Sequence, residues 1–188
     1  MATGIKDKVA ILGMGCAKFG ERWNDNAEDL MVDAFEEALK DAGIERTQIE
    51  AAWFGTAIEE QHVGKSGVPL AMALRLPYIP VTRVENYCAT GTDAFRCAAM
   101  SIACGMYDTV LVVGYDKPKD RGVSGPSVVM SQVRDLPQTP AGWFALCAAR
   151  YFDRFGAGRE DLARISVKNH HNGTRSEEHT SELQSQFR

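Results

Sequence analysis

Residues 84–105, VENYCATGTDAFRCAAMSIACG, decide the fold of this chain. A short apolar run leads into them, and Cys88 stands directly before small and apolar residues whose pattern predicts a buried helix over residues 89–106. A strand that leads into a helix is typical of a chain in which the two elements alternate. The thiol is therefore either a packed side chain at the end of a core strand or a nucleophile at the start of a helix.

The rest of the chain repeats this alternation. Apolar runs predict strands at residues 9–12, 51–56, 81–84 and 109–113, and helical spacing predicts helices at 26–43, 66–76, 139–155 and 159–169. The helix after Asn26 carries Asp29 at the capping-box position and ends at Gly43. The sequence predicts an α/β fold, with a parallel sheet between helices and right-handed crossovers. Between residues 117 and 138, Gly, Pro, Ser and charged residues indicate an irregular surface excursion.

Composition excludes several classes of function. The 188 residues are 45% hydrophobic, enough for one core, and the net charge of −4 with scattered Lys and Arg argues against a nucleic-acid partner. No apolar run approaches a membrane span and no leader is evident, so we expect a cytoplasmic protein without a membrane partner. The five cysteines form no C-x-x-C pair, which predicts neither a disulfide framework nor a metal site. We expect most of them to be buried.

The last residues differ in character from the rest. RSEEHTSELQS, residues 175–185, is polar and aperiodic, and it matches the in-frame translation of a widely used sequencing-library adapter at every codon. We interpret residues 175–188 as an artefactual, disordered tail, which leaves residues 1–174 as a truncated natural sequence.

Cys88 has the chemistry of a candidate nucleophile. A thiolate is the attacking form, so a catalytic cysteine needs a pKa below the ordinary value of about 8.5. Unpaired N–H groups and the dipole at a helix start favour the anion, and Gly91 is expected to allow close backbone packing there. Cys97 and Cys104 lie farther along the predicted helix and are interpreted as core residues.

Several separated segments carry a family resemblance. NYCATGTDAFRCA, residues 86–98, resembles the active-site signature of thiolases, Asn-x-x-Cys-x-Ser-Gly, with Asn86 one place late and Thr90 in place of serine. VAILGMGCAKFGER, VLVVGYDK and KNHHNG are similar, in the same order, to segments of the sterol-carrier-protein type of thiolase, which includes acetyl-CoA acetyltransferases. The resemblance covers residues 8–174.

The resemblance implies an architecture. Thiolases have two similar halves, each a five-stranded sheet between helices, with a loop excursion in the first half. Residues 1–116 would then form the first four strands of the N-terminal half, and residues 117–174 most of the excursion with its helices. The fifth strand and the second half would be missing.

The resemblance also implies a reaction. Cys88 would take an acyl group from acyl-CoA as a thioester, and acetyl-CoA deprotonated at its methyl group would attack it; the reverse reaction is thiolysis of a 3-ketoacyl-CoA. Coenzyme A thioesters would be substrates, with no tightly bound cofactor. The family's Gly-His-Pro and Cys-x-Gly motifs, which supply its base residues, do not occur in this sequence, so we expect the chain itself to be inactive.

Other residues invite a functional interpretation that we do not favour. His170 and His171 are expected to be exposed or structural. Gly13 and Gly15 suggest a dinucleotide loop, but Lys18 stands where its third glycine would be. Three basic residues could contact CoA phosphates, but we favour solvated surface charges: Lys117, Lys119 and Arg121. A glycosylation triplet, Asn172, Gly173 and Thr174, has no meaning in a cytoplasmic protein. Two aromatic residues, Trp143 and Phe144, are favoured as core residues.

Three functions remain open at this point. The first is the truncated half of a thiolase, which would form a homodimer or homotetramer at full length. The second is a non-catalytic acyl-CoA-binding or scaffold subunit, because related proteins work beside small acyl-CoA-binding partner proteins. The third, a nicotinamide-dependent oxidoreductase, depends on the two glycines alone.

Overall fold

A computed structural model describes residues 4–20, 22–57, 63, 65–117 and 140–174. The chain divides into two compact units, one formed by residues 1–17 with 22–117 and the other by residues 18–21 with 118–188. The predicted tail at residues 175–188 and the irregular part of the predicted excursion, residues 117–138 apart from Lys117, lie outside the described residues. Each unit is described by itself.

The first helix, α1 (Ala27–Ala42), begins and ends as predicted. The Asn26 side chain accepts a hydrogen bond from the Asp29 N–H at 3.0 Å, and the Asp29 carboxylate accepts one from the Asn26 N–H at 2.9 Å. Gly43 has a φ of 66°, which a glycine adopts without a steric penalty, and its N–H bonds to the Leu39 carbonyl. Local signals thus define both ends of the helix.

Three strands form a parallel sheet in the order β2-β1-β3. They are β1 (Ala51–Gly55), β2 (Val81–Val84) and β3 (Val110–Gly114), with the short helix α2 (Val68–Ala73) and the longer helix α3 (Thr90–Ala103) in the connections. Gly55 pairs with Val84 on one side and with Gly114 on the other. All three strands therefore end at the same edge, and the predicted α/β, three-layer half is confirmed.

Helices cover both faces of the sheet. On one face, Phe54 of β1 packs with Met31 and Phe35 of α1 and with Leu70 of α2, each at most 2% exposed. On the other face, α3 packs against β1 and β3. Helix α3 buries one side only, the side that carries Ala94 and Ala98. The prediction that this helix is buried on nearly all sides is wrong, because Phe95 and Met100 are about half exposed.

A carboxylate connects the starts of β1 and β3. Glu50 accepts hydrogen bonds from the Asp108 and Thr109 N–H groups, the latter at 3.1 Å. These two bonds hold the pKa of Glu50 below its ordinary value of 4.5, because they stabilise the ionised form. The Glu50 carboxylate thus links the amino ends of β1 and β3.

The predicted strand at residues 9–12 is not formed. Instead, the extended segment is held along α1: the Met14 N–H donates to the Asp41 carboxylate at 2.9 Å, and the Cys16 N–H donates to the Glu37 carboxylate at 2.8 Å. A cavity of about 610 Å³ separates residues 8–15 from β3. Because a strand needs a neighbour for its ladder, the apolar run alone is not sufficient to form one.

The second unit contains two helices, α4 (Pro140–Phe155) and α5 (Arg159–Gly173). Both predicted helices are confirmed, and α5 continues four residues past its predicted end at Asn169. Its first turn has a capping interaction in which the Gly158 N–H donates to the Asp161 carboxylate at 2.9 Å. Within the described parts of both units, no helix has the length and apolar character that a membrane span requires.

Candidate active site

The carboxyl ends of the three strands bring polar residues to one edge of the sheet. Thr56 follows β1, Cys88 lies four residues after the end of β2, and Asp116 follows β3. In parallel sheets, ligands bind outside this edge. The structure therefore places Cys88 in the part of the fold where a site is expected.

Cys88 lies in a tight 3₁₀ turn (Tyr87–Ala89) directly before α3. Its thiol is exposed, and among the described residues its N–H has no hydrogen-bond acceptor. The next N–H along the chain is paired: the Ala89 N–H donates to the Asn86 carbonyl at 3.0 Å. An exposed thiol beside an unpaired N–H is suited to attack a carbonyl and to hold the oxyanion that results.

The turn is held by Thr90, which is 4% exposed. Its hydroxyl accepts a hydrogen bond from the Asn86 N–H at 2.8 Å and donates one to the Tyr87 carbonyl at 2.6 Å. Tyr87 has a φ of 47°, in the left-handed region that side chains other than glycine disfavour, and its N–H donates to Glu85. The two residues before Cys88 are thereby fixed.

The glycine that allows close packing at this turn is Gly55, whereas the prediction named Gly91. A Cβ added to Gly55 would lie 3.1 Å from the Thr90 Cγ2, but one added to Gly91 would meet no described atom within 4 Å. The difference arises because Gly91 faces the cavity beside α3, whereas Gly55 lies under Thr90 where β1 ends.

A second polar group joins the strand ends. The Asp116 carboxylate accepts hydrogen bonds from the Thr56 hydroxyl and the Ala57 N–H, each at 3.1 Å, and Arg83 donates to the Thr56 carbonyl at 3.0 Å. Thr56 is completely buried. Sequence reasoning missed these residues, although each polar side chain at the end of an apolar strand was a usable signal.

The remaining cysteines correct the sequence prediction. We expected most cysteines to be buried, but none is: Cys97 is half-buried, and Cys16, Cys104 and Cys147 are exposed like Cys88. Cys104 is exposed because it caps the end of α3, where it donates to the Ser101 carbonyl. None of the five cysteines is in a disulfide, and four of them are exposed, so it is the turn before α3 that distinguishes Cys88 from the others.

The basic and aromatic candidates also have defined positions. Lys117 Nζ donates to the Asp25 carbonyl, so this ammonium group connects the end of β3 to the loop before α1. Lys119 and Arg121 lie outside the described residues. Trp143 and Phe144, expected in the core, are 44% and 74% exposed, so the prediction that they are core residues is wrong.

His170 and His171 lie in the last turn of α5, in the second unit, and Asn172, Gly173 and Thr174 follow them. The carbonyls of both histidines accept hydrogen bonds from Thr174. Among the described residues, no group of His, Cys, Asp and Glu side chains is arranged to hold a metal ion.

The glycine pair near the N-terminus has a packing explanation. A Cβ at Gly13 would lie 2.5 Å from the Ala42 nitrogen, and one at Gly15 would lie 2.0 Å from the Ala34 oxygen. Both positions need glycine because the extended segment touches the α1 backbone. This contact explains the two glycines without a dinucleotide.

Comparisons with known proteins point to one family. The model of the thiolase N-terminal domain matches residues 9–183, a range that ends inside the segment interpreted as an artefact. The acetyl-CoA acetyltransferase of Methanothermobacter thermautotrophicus is 31% identical over an alignment of 175 residues, which covers 88% of this chain and 45% of that protein. Sterol carrier protein 2 of Gallus gallus is 28% identical over an alignment of 189 residues, which covers 92% of this chain and 34% of that protein.

A solved structure agrees with the sequence relatives. The structure titled Ltp2-ChsH2(DUF35) aldolase has a TM-score of 0.69 and 26% identity, and the match covers 90% of this chain and 44% of that one. The chain thus spans less than half the length of the proteins it matches. Since the family match extends over nearly all of its residues, the chain belongs to the thiolase family.

Proposed function

We propose that Cys88 is the nucleophile of a thiolase-type acyltransferase whose substrates are coenzyme A thioesters. The observation that carries the proposal is the turn before α3, which presents an exposed thiol at the carboxyl edge of the sheet, next to an N–H that has no acceptor in the described part of the chain. The similarity to acetyl-CoA acetyltransferase supports the same chemistry.

The proposed reaction has two steps. The Cys88 thiolate attacks the thioester carbonyl, the Cys88 N–H donates to the tetrahedral oxyanion, and coenzyme A leaves as a thiol after taking up a proton. The acyl-enzyme is then attacked by the carbanion of acetyl-CoA, which forms the carbon–carbon bond of a 3-ketoacyl-CoA and frees the thiolate. Thiolysis is the same sequence in reverse.

The same proposal includes the source of the base residues, the association of chains, a partner protein and the cellular compartment. The second half of a full-length chain would supply the base residues, and two or four such chains would associate. The aldolase title, which pairs Ltp2 with ChsH2(DUF35), supports a small partner protein. The absence of a disulfide among the five cysteines supports a reducing compartment, so we place the protein in the cytoplasm.

Competition among the five cysteines for iodoacetamide tests the nucleophile in the present chain. We expect Cys88 to be alkylated faster than Cys16 and Cys104 at neutral pH, because Cys88 lies directly before α3, at the end where a helix dipole attracts a negatively charged group. Peptide mapping by mass spectrometry gives the rate at each thiol. Cys104 is the matched control, since it is an exposed thiol at the opposite end of the same helix.

Equal rates at Cys88 and Cys104 would contradict the proposed nucleophile. If acyl-CoA binds to a full-length chain and no thioester forms, the protein is the non-catalytic acyl-CoA-binding subunit that we considered as an alternative.

A further inference from the structure

The backbone before Cys88 is held in a conformation that its own residues disfavour. Tyr87 has a φ of 47°, and a side chain in this region costs free energy unless its surroundings hold it there. Three hydrogen bonds do so: the Tyr87 N–H donates to the Glu85 carboxylate, and the Thr90 hydroxyl bonds to the Asn86 N–H and to the Tyr87 carbonyl.

The Thr90 hydroxyl is the central group among these. It acts as acceptor and donor at once, at 2.8 Å and 2.6 Å, and so closes a ring of backbone from Asn86 to Thr90 with Cys88 at its midpoint. Glu85 is exposed, whereas Thr90 is 4% exposed, and a hydrogen bond away from water is the more costly one to lose.

Both the methyl group and the backbone carbonyl of Thr90 lie over the end of β1, within 3.5 Å of a Cβ added to Gly55. Thr90 Cγ2 lies over Gly55 at the end of β1, where an added Cβ would approach it to 3.1 Å. The buried sheet therefore sets the position of Thr90, and Thr90 sets the position of the turn.

We infer that Thr90 is a positioning residue for Cys88: its hydroxyl transmits the fixed geometry of the sheet end to the reactive turn. This inference rests on the proposed function, in which Cys88 reacts. Thr90 touches no reacting atom, and it acts through the backbone of residues 86–88.

The first test compares Thr90→Val with Thr90→Ser in the present chain. Valine keeps the shape and removes the hydroxyl, so we expect the alkylation rate of Cys88 to fall about tenfold, as for the loss of a buried hydrogen bond. Serine keeps both hydrogen bonds, so the rate should stay within about twofold of the original. Cys97, which is half-buried on the same helix, reports any general opening of the fold.

The second test moves Thr90 without removing its hydroxyl. Gly55→Ala places a Cβ against Thr90 Cγ2, and we expect the Cys88 rate to fall while Cys97 stays protected. Thr90→Ser, added to Gly55→Ala, removes the methyl group that the new Cβ would contact. The Cys88 alkylation rate of the double variant should therefore return to that of the original chain. The comparison of Gly55→Ala with the double variant still tests the positioning role if Thr90→Val does not fold.

The outcomes separate the two proposals. An unchanged Cys88 rate in Gly55→Ala, or a Thr90→Ser variant as slow as Thr90→Val, would overturn the positioning role. The proposed function is judged independently, by the ratio of the Cys88 and Cys104 rates in the unsubstituted chain.

Discussion

Cys88 was predicted from its sequence motif, but its surroundings were not. The contacts that hold it come from two separate strand ends: Gly55 at the end of β1, and the turn at Tyr87 after β2. A motif reports which residues are adjacent in sequence, whereas the contact between Gly55 and Thr90 exists only after the sheet has formed. For the same reason the prediction that Gly91, which is near Cys88 in sequence, allows close packing at the turn is wrong.

Gly15→Ala is expected to destabilise the first unit by roughly 1–3 kcal/mol, because its Cβ would lie 2.0 Å from the Ala34 oxygen. Urea unfolding measures the change. Gly91→Ala is the matched control: it meets no described atom within 4 Å, and alanine favours a helix over glycine by up to about 1 kcal/mol. A Gly15→Ala chain as stable as the original would contradict the close contact with α1.

Glu50 gives a pH dependence with a definite sign. Its pKa is lowered by two N–H donors, so folding favours the ionised form, and its contribution is complete above the ordinary value of 4.5 and disappears as the pH falls through the lowered pKa. We therefore expect the difference in unfolding free energy between the original chain and Glu50→Gln to be largest near about pH 6 and to shrink towards about pH 3. A difference that is constant over this range would refute the effect.

The elements that sequence predicted best are those whose signals are local. α1 was predicted with its cap and its end, because Asn26, Asp29 and Gly43 act within one turn of the helix. The segment at residues 9–12 was predicted wrongly, since a strand depends on a neighbour and this one is separated from β3 by the cavity. Its glycines and carboxylate contacts instead hold it along α1.

The capping box predicts a measurable effect. Asn26→Ala removes the acceptor for the Asp29 N–H and should cost about 1 kcal/mol of unfolding free energy. Asn26→Asp retains an acceptor and should be close to neutral. Equal losses in the two variants would show that the side chain acts by something other than capping.

The first unit has the sheet, the helices and the turn that carries the proposed nucleophile, and all of them lie within residues 22–117. The bases that the proposed reaction needs are not recognisable in the sequence as Gly-His-Pro or Cys-x-Gly. The tail also lay beyond prediction from fold principles, since its interpretation depends on a resemblance to an adapter.

We expect the present chain to catalyse no thiolysis of acetoacetyl-CoA, because a nucleophile without its base does not turn over. A spectrophotometric assay of 3-ketoacyl-CoA cleavage measures this. Removal of residues 175–188 should leave both the absence of activity and the unfolding midpoint unchanged. Measurable turnover that is lost in Cys88→Ser would mean that residues 1–174 already hold a base.

Acetyl transfer to Cys88 is the most direct test of the proposed nucleophile. Residues 1–174 joined to the remaining part of the Methanothermobacter thermautotrophicus acetyl-CoA acetyltransferase would be incubated with acetyl-CoA, and the acetylated peptide identified by mass spectrometry. We expect one hydroxylamine-sensitive acetyl group per chain, on Cys88, and none in Cys88→Ser. An acetyl group on another cysteine, or none in a folded chain that binds acetyl-CoA, would contradict the assignment.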